Sequence, residues 1–391
     1  KENDFVDFDR ERLLFKMNST EGPCLCVSDF NSDGLEDLFV GSARGEVSSI
    51  FYQKSNGYFE AYSEPFKSDI DSEDVSCVVN DFNGDGKMDL IVASGGSEYS
   101  NFSPELRDRV YFNQGENKFE KSKYSLNSIS SFESTSTISS DDIDNDGDYD
   151  LFVGTGINPG SYGTQTKSYL LLNDGKGEFL DVSDEYLGEL RFMEMVNDSE
   201  FIDLDNDGSK ELVVIGEWMP IRVFKFDNDK FFEISDSLGL SKTNGLYNVI
   251  HSKDLDGDGF VELIIGNYGL NSMFRANLEK PLTLYVNDFD NNGRYEQILG
   301  MYYGNDLYPI VQLKDLWMQL PYLKKKYLKF ESYKNIKMDS FLDNSLKDST
   351  KIKEVYNLES IILKNNKGIN FDIISLPFMS QISPVYSILS D

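Results

Sequence analysis

The sequence predicts an all-β fold, a β-propeller, from three observations. An acidic loop motif recurs six times, a short apolar run follows each copy, and further strand patterns complete each repeat. Successive copies begin 52, 61, 61, 51 and 34 residues apart. Periods near fifty to sixty residues with strands on both sides are typical of propeller blades, whereas helical solenoids have different repeats.

The composition is that of a folded, strongly acidic protein. Hydrophobic residues make up 39% of the 391 residues and aromatic residues 13%, which is enough for a substantial core. The formal net charge of −31 disfavours direct binding to nucleic-acid phosphates. No run of 18 apolar residues occurs, so we expect no membrane-spanning helix. The chain begins at Lys1 without a signal-peptide pattern, and we expect a mature or excised fragment.

The repeated motif has oxygen-bearing side chains at positions 1, 3, 5 and 9 and glycine at position 6. Its copies are DFNSDGLED, DFNGDGKMD, DIDNDGDYD, DLDNDGSKE, DLDGDGFVE and DFDNNGRYE. Calcium takes six to eight hard oxygen ligands, and a tight loop supplies them from alternate side chains and one backbone carbonyl. Asp, Asn and Gly also form ordinary turns. Six copies in one register favour calcium, at about six sites with one in each loop.

The expected ligands follow from these positions. The side-chain ligands at positions 1, 3, 5 and 9 are Asp29, Asn31, Asp33 and Asp37; Asp81, Asn83, Asp85 and Asp89; Asp142, Asp144, Asp146 and Asp150; Asp203, Asp205, Asp207 and Glu211; Asp254, Asp256, Asp258 and Glu262; and Asp288, Asp290, Asn292 and Glu296. The carbonyl ligands at position 7 belong to Leu35, Lys87, Asp148, Ser209, Phe260 and Arg294. The sixth loop departs from the others, because Asn292 replaces aspartate and Gln297 interrupts the following apolar run.

Other metal-loop classes fit less well. An EF-hand requires glutamate at position 12, where this chain has only Val, Ile or Leu, and it requires flanking helices. Zinc sites need His or Cys ligands, and the chain has a single histidine. Magnesium prefers fewer protein ligands and more water. The runs LFV, LIV, LVV and LII after position 9 instead predict strands buried on both faces.

Four strands per repeat give expected blade boundaries within one domain, residues 1–391. The blades are expected at about 20–66, 74–126, 136–184, 196–236, 247–280 and 281–378, with the start of an incomplete seventh at about 383–391. A segment of helical spacing at about 312–354 is expected as an insertion in the sixth blade. It is locally basic, so it is either a docking element for a partner or acidic surface, or a solvated helical hairpin.

The D-x-D-x-D-G-x-x-D-L pattern followed by a strand resembles the FG-GAP and VCBS repeats of integrin-α-like calcium-loop propellers. The stretches GEWMPI, GNYGLNS and SPVYSIL resemble the C-terminal half of bacterial VCBS-repeat proteins associated with an ASPIC/UnbV domain. This resemblance implies a non-catalytic, extracytoplasmic propeller, usually of seven blades. Closure of the ring then depends on residues 1–20, where Phe5–Phe15 could add strands.

The cysteines and the single histidine give little support for catalysis. Cys24, Cys26 and Cys77 are too few for a disulfide framework, and we expect all three to be buried small residues without a redox role. His251 lies on an expected inner strand, and no second histidine is present to build a triad. We expect no enzymatic activity and no nucleotide site.

Three functions remain open. The leading hypothesis is a cell-surface or secreted module that binds a protein or glycan partner and is associated with the outer membrane, in a membrane-anchored complex or outer-surface assembly. The first alternative is a calcium-dependent polysaccharide lyase or hydrolase, which would need a basic and acidic cluster at the central channel. The second is a structural spacer within a longer protein. Low calcium affinity in single extracellular loops, roughly 10⁻⁴–10⁻³ M, favours a location outside the cytoplasm.

Overall fold

The computed structural model confirms an all-β architecture built from four-stranded antiparallel sheets. It describes residues 3–20, 22–123, 126, 133–341, 346 and 348–390. The first sheet contains strands Leu25–Ser28, Asp37–Val40, Ser49–Gln53 and Phe59–Tyr62. The second contains Asp74–Asn80, Asp89–Ser94, Arg109–Gly115 and Lys118–Lys121. The third contains Ser134–Asp141, Asp150–Ile157, Tyr169–Asn173 and Phe179–Asp181.

Two further sheets continue the series. The fourth contains Met195–Ile202, Glu211–Met219, Arg222–Asp227 and Lys230–Glu233, with Gly245–Leu246 paired to its second strand. The fifth contains Val249–Lys253, Glu262–Gly266, Ile361–Asn365 and Phe371–Ser375. A short two-stranded sheet pairs Thr166–Lys167 with Phe192–Met193. In all five sheets an acidic loop joins the first strand to the second.

The second strands form the core, as their apolar runs predict. Every residue of Asp89–Ser94 and of Glu211–Met219 is buried. These strands lie between two partners in their sheet, and their side chains pack against the neighbouring sheets on both faces. Burial on both faces explains why the runs are continuously apolar instead of alternating.

The first strands of the five sheets lie side by side in chain order. Direct hydrogen bonds join them: Cys24 N–H donates to the Asp74 carbonyl (3.0 Å), Ser136 Oγ to the Val196 carbonyl (2.6 Å), and Ile250 N–H to Asp198 Oδ2 (3.0 Å). This arrangement of innermost strands is consistent with a propeller.

The sixth sheet departs from the expected chain order. It contains Leu282–Asn287, Glu296–Tyr303, Asp306–Pro309 and Lys351–Val355, and it is inserted between the second and third strands of the fifth sheet. Strand Ile361–Asn365, expected in the sixth blade, pairs with the second strand of the fifth sheet through Leu263 and Leu363. The expected boundaries of the fifth and sixth blades are therefore wrong, because the fifth sheet is completed about a hundred residues later.

The inserted sheet packs where the second strands of its neighbours end. Its residues Leu282, Leu284 and Met301 share a buried cluster with Tyr162 and Trp218, which follow or close the second strands of the third and fourth sheets. The acidic loops lie where those strands begin. This packing therefore places the inserted sheet at the end of the third and fourth sheets that is opposite their acidic loops.

The chain ends supply no strands in the described residues. Residues 3–20 contain one short helix, Asp7–Arg10, and residues 383–390 contain no strand, so neither end forms the expected blade. Residues 3–20 instead pack against the sheets. Arg10 donates to the carbonyls of Ser97 (2.8 Å) and Tyr99 (2.6 Å), and Phe15 contacts the rings of Tyr162, Trp218, Tyr268 and Phe274.

One cysteine prediction is wrong. Cys26 and Cys77 form a disulfide, with their Cα atoms 6.1 Å apart, while Cys24 is free and half-buried. The two cysteines lie on the first strands of adjacent sheets. Their pairing therefore depends on how the sheets pack together, which the residue pattern within a single strand does not reveal. Closing a loop of 51 residues in the unfolded chain stabilises the fold by about 4 kcal/mol.

The expected helical insertion is present in the inserted sheet. It consists of helices Leu313–Gln319, Leu323–Lys326, Phe330–Tyr333 and Met338–Phe341, and part of residues 342–347 lies outside the described residues. A further helix is Ser183–Tyr186, and 3₁₀ turns occur at Glu64–Asp69, Pro104–Leu106, Gly188–Arg191 and Phe378–Gln381. In the described part of the chain, no helix is both long and apolar enough to cross a membrane.

Candidate metal centres

The six acidic loops share one backbone scaffold. In the first loop, Asp33 N–H donates to Asp29 Oδ1 (3.1 Å) and Asn31 Oδ1 (2.9 Å), and Leu35 N–H donates to Asp33 Oδ1 (2.9 Å). The glycine N–H at position 6 donates to the aspartate at position 1 in all six loops, at 2.7–3.1 Å. The carboxylates at positions 1, 3 and 5 therefore converge because the turn's own N–H groups hold them.

The glycine at position 6 is required by backbone conformation. Its φ lies between +82° and +98° in the six loops, a region that side chains rarely adopt. A Cβ at any of these glycines would meet no atom within 4 Å, so space is not the constraint. Position 4 also has positive φ, and Ser, Asn or Gly stands there in every loop. The sequence preference for Gly at position 6 thus follows from the left-handed turn.

The acid at position 9 is buried in every loop, with at most 3% of its surface exposed. In the first three loops it is aspartate, and backbone N–H groups occupy both of its oxygens. Asp89 accepts from Phe82 (3.2 Å) and Asn113 (2.8 Å), and Asp150 accepts from Ile143 (2.9 Å) and Asn173 (2.8 Å). In these loops, position 9 ties the loop to the third strand of its own sheet.

In the last three loops position 9 is glutamate, and only one of its oxygens is held by the backbone. Glu262 accepts from Leu255 N–H (2.8 Å) and Glu296 from Phe289 N–H (3.0 Å), while the Oε1 atom of Glu262 is buried without a hydrogen-bond partner among the described residues. The longer side chain brings an oxygen of its carboxylate within 4.8 Å of the carboxylates at positions 1 and 3. A buried, unpartnered carboxylate oxygen in an acidic cluster fits a bound cation.

Four loops bring three carboxylate oxygens within 4.8 Å of one another: Asp142, Asp144 and Asp146; Asp203, Asp205 and Glu211; Asp254, Asp256 and Glu262; and Asp288, Asp290 and Glu296. In the third loop, Asp142 Oδ1 is also buried without a hydrogen-bond partner. The residues therefore fit a cation that takes hard oxygen ligands, as Ca²⁺ does. Bound there, the ion would neutralise the crowded carboxylates.

The first two loops are less acidic at the centre, because asparagine stands at position 3. Asn31 and Asn83 each accept from the N–H at position 5, as the aspartates of the other loops do. Asn292 in the sixth loop likewise accepts from Arg294 N–H (2.8 Å), so its substitution leaves the scaffold intact. The carbonyls of position 7 remain predicted ligands.

Burial and crowding raise the pKa values of Asp89, Asp150 and Glu296, three of the acids at position 9. Burial raises the pKa of Asp89 to about 7 and that of Asp150 to about 6, although two backbone N–H donors oppose the shift. Burial also raises the pKa of Glu296 to about 7, and the carboxylates of Asp290 and Asp288 add to it. Negative charge at these positions is costly until a positive charge joins the loop.

Lysines supply that positive charge unequally. The ammonium of Lys225, on the third strand of the fourth sheet, lies 2.8 Å from both Asp205 Oδ2 and Asp207 Oδ2 and 3.0 Å from Glu211 Oε1. In the fifth loop, Lys364 contacts only Asp256 Oδ2, at 2.9 Å. The fourth loop is thus the one in which an ammonium contacts three of the expected ligands.

Three asparagines that were not predicted as site residues donate hydrogen bonds from neighbouring sheets to the acidic loops. We call these hydrogen bonds the asparagine clasps. Asn113 Nδ2 donates to the carbonyl of Phe30 in the first loop (2.7 Å), Asn173 to Phe82 in the second (2.9 Å), and Asn365 to Leu204 in the fourth (2.8 Å). Each asparagine lies at or near the end of the third strand of another sheet and is at most 6% exposed. The stretches YFNQG, LLNDG and LKNNKG contain the signal, an asparagine just before a glycine turn.

A polar cavity of about 190 Å³ lies among the first strands. Its lining includes Ser76, Thr137, Asn197, Asp198 and Asn248, and no Lys, Arg or His is among the described lining residues. The Asp198 carboxylate accepts from Ile250 N–H (3.0 Å) and Ser199 N–H (2.9 Å), so it is held within the fold.

The single histidine lies away from this lining. His251 Nε2 is 2.7 Å from the hydroxyl of Ser390, and within the described residues its ring donates no hydrogen bond to a carboxylate. Among the described residues, the ring therefore has no hydrogen-bonded acid of the kind that orients the histidine of a Ser–His–Asp triad.

The sheets and loops together define a protein built from repeated β-sheets, each with an acidic loop that resembles a calcium-binding loop. Comparison with protein families matches the FG-GAP-like repeat over residues 29–92, 81–153, 142–214 and 203–265. These matches cover more than half of the chain, which therefore belongs to the FG-GAP-like repeat family.

Comparisons with curated proteins and with solved structures give no close relative of this chain. None of the curated proteins compared with the chain matches it. A solved lectin from Agrocybe aegerita, described for specific recognition of non-reducing terminal N-acetylglucosamine, aligns over 92% of this chain and 82% of its own. Its identity to this chain is 12% and the TM-score is 0.35.

Proposed function

We propose that this chain is a non-catalytic, calcium-stabilised β-propeller that binds a protein or glycan partner outside the cytoplasm. It acts at the cell surface or in secreted form, as one subunit of an outer-surface assembly. The repeated loop scaffold with buried, unpartnered carboxylate oxygens carries this proposal. Calcium holds the loops, and the loops hold adjacent sheets through the asparagine clasps.

Two further observations support the location and the lack of catalysis. The Cys26–Cys77 disulfide is typical of an oxidising compartment outside the cytoplasm. The polar cavity among the first strands has no basic group in its described lining, whereas a lyase or hydrolase would need a basic and acidic cluster there. A binding role requires only shape and hydrogen-bonding groups.

The test is isolation of the complete protein with its partners from the native cell surface, in parallel with Ca²⁺ and with EDTA. We expect a stoichiometric partner with Ca²⁺ and its loss with EDTA. The matched control is Asp144→Ala with Asp146→Ala, which disables one loop and should reduce recovery in Ca²⁺. A panel of anionic glycans, read for binding and for cleavage, covers the glycan partner. Cleavage, or the absence of any partner and any glycan bound, would contradict the proposal.

A further inference from the structure

The helical insertion presents a surface unlike the rest of the molecule. Its buried side is fixed by Leu316, Leu320, Leu323 and Tyr327, which pack in one cluster with Ile298 of the inserted sheet. Tyr327 also stacks on Phe341, with ring centroids 6.0 Å apart. Because Leu323 and Tyr327 point inward, the residues between and after them point outward.

These outward residues include two large apolar side chains. Leu328 is 75% exposed and Phe330 is 67% exposed, and they flank Lys329. We call residues 324–330, without the buried Tyr327, the basic tip. Exposed leucine and phenylalanine this close together are costly in water unless a partner covers them.

The basic tip also differs in charge. Residues 314–337 contain seven lysines and two acidic residues, a formal net charge of +5 within a chain of −31. Lys334 pairs with Glu331, and Lys337 pairs with Asp306. Lys324, Lys325 and Lys329 are exposed, and no ion pair involves them among the described residues. An anionic surface would attract this tip and repel the remainder of the molecule, which fixes one orientation of approach.

The kind of charge narrows the partner. All basic residues of the segment are lysines, and none is the arginine that suits bidentate recognition of a particular carboxylate or phosphate. Hydrated point charges beside exposed apolar side chains match the interface of an anionic lipid bilayer, where lysines face headgroups and apolar groups enter the acyl boundary. We propose that the basic tip is a peripheral docking site for an anionic lipid membrane.

This inference goes beyond the proposed function and does not depend on calcium. The test uses the complete, Ca²⁺-saturated chain and vesicles of phosphatidylcholine alone or with about 30% phosphatidylglycerol, in a flotation assay. We expect binding to the anionic vesicles, weak binding to the neutral ones, and a loss of affinity as salt rises. No flotation with anionic vesicles, or equal flotation with neutral ones, would overturn the proposal.

Two variants separate the contributions. Lys324→Gln, Lys325→Gln and Lys329→Gln together should weaken binding by roughly 100-fold, at about fivefold for each charge near an anionic surface. Leu328→Ser with Phe330→Ser should abolish flotation at moderate salt. The matched control is Phe378→Ser with Met379→Ser, which removes two apolar side chains that are each 75% exposed elsewhere. Equal binding by the tip variants and the wild type would contradict the assignment.

A tryptophan reports on the tip directly. The chain has two tryptophans, and Trp317 lies 6.1 Å from the Phe330 ring while Trp218 is only 2% exposed. Brominated lipids should quench fluorescence in the wild type, and Trp317→Phe should remove the quenching. Flotation without quenching would mean that another surface docks. Binding of dextran sulfate but not of vesicles would reassign the tip to an acidic polymer.

Discussion

The choice of aspartate or glutamate at position 9, a difference of one methylene, decides which hydrogen bonds that carboxylate accepts in each acidic loop. Aspartate places both oxygens on backbone N–H groups, as Asp89 and Asp150 do. Glutamate keeps one hydrogen bond from the backbone and brings its carboxylate within 4.8 Å of the acids at positions 1 and 3, as Glu262 and Glu296 do. We therefore infer that the last three loops offer a side-chain ligand that the first three use for the fold.

Lys225 makes the fourth loop a special case. Lys225→Met keeps the aliphatic stem and removes the ammonium that contacts Asp205, Asp207 and Glu211. Without Ca²⁺, we expect the free energy of unfolding to fall by about 1–3 kcal/mol, because buried Glu211 loses its compensating charge. With Ca²⁺ this loss of unfolding free energy should disappear, because the ion neutralises the same carboxylates and no longer has to displace the Lys225 ammonium. Urea unfolding in EDTA and in Ca²⁺ measures both effects.

The control for this prediction is Lys364→Met in the fifth loop, where the ammonium contacts a single exposed carboxylate. Its effect in EDTA should be well under 1 kcal/mol. Equal losses of unfolding free energy for both variants in EDTA would contradict the hypothesis that Lys225 and Ca²⁺ compete for the fourth loop. The same holds if Ca²⁺ does not restore the stability of Lys225→Met.

Asp108 predicts a pH dependence outside the loops. Burial raises the pKa of Asp108 to about 7, although Ser94 N–H (2.8 Å) and Thr135 Oγ1 (3.0 Å) donate to it. Between about pH 4 and 7 the native state then holds a proton that the unfolded state has released. Stability contributed by this group is full at the acidic end and falls as pH rises through that window, by up to about 1.4 kcal/mol per pH unit.

Asp108→Asn should flatten this part of the stability profile, because the amide cannot ionise. The exposed Asp236→Asn serves as the control and should leave the profile unchanged. Denaturant unfolding at several pH values between 4 and 8 gives the comparison. Parallel profiles for wild type and Asp108→Asn would contradict the assignment.

At the scale of elements, the asparagine clasps join the first, second and fourth loops to the next sheet. Asn173→Ala removes the donor to the Phe82 carbonyl and the acceptor for Gly177 N–H (3.1 Å), both buried. We expect a loss of about 1–3 kcal/mol in the free energy of unfolding, since buried backbone groups lose their partners. Asn366→Ala, which breaks a bond between exposed side chains, should cost less than about 0.5 kcal/mol. Equal losses would mean that the clasp does not stabilise the sheets.

The sequence predicts the local elements well because their causes are local. The glycine at position 6 and the apolar second strands follow from backbone conformation and from burial on both faces. The closing strands of the fifth sheet could not be predicted, because Leu263 and Leu363 pair across the inserted sheet. The Cys26–Cys77 bond was missed for a similar reason, since it joins two sheets. Chain order gives the repeats but not which strand returns to complete an interrupted one.

At the scale of the whole molecule, stability and metal binding should be one property. A chain of net charge −31 concentrates many carboxylates in six short loops, and asparagine side chains join three of those loops to neighbouring sheets. An ion that binds only the native loops adds its binding free energy to the stability of the fold. Crowded carboxylates left without a cation should weaken the contacts between sheets as well as the loops themselves.

Thermal unfolding of the complete chain in excess Ca²⁺, in EDTA and in Mg²⁺ at equal ionic strength tests this claim most directly. We expect EDTA to lower Tm by many degrees, Ca²⁺ to restore it, and Mg²⁺ to restore it only in part, because these loops offer more protein oxygens than Mg²⁺ prefers. An unchanged Tm in EDTA, or equal recovery with both ions, would contradict a calcium-stabilised fold.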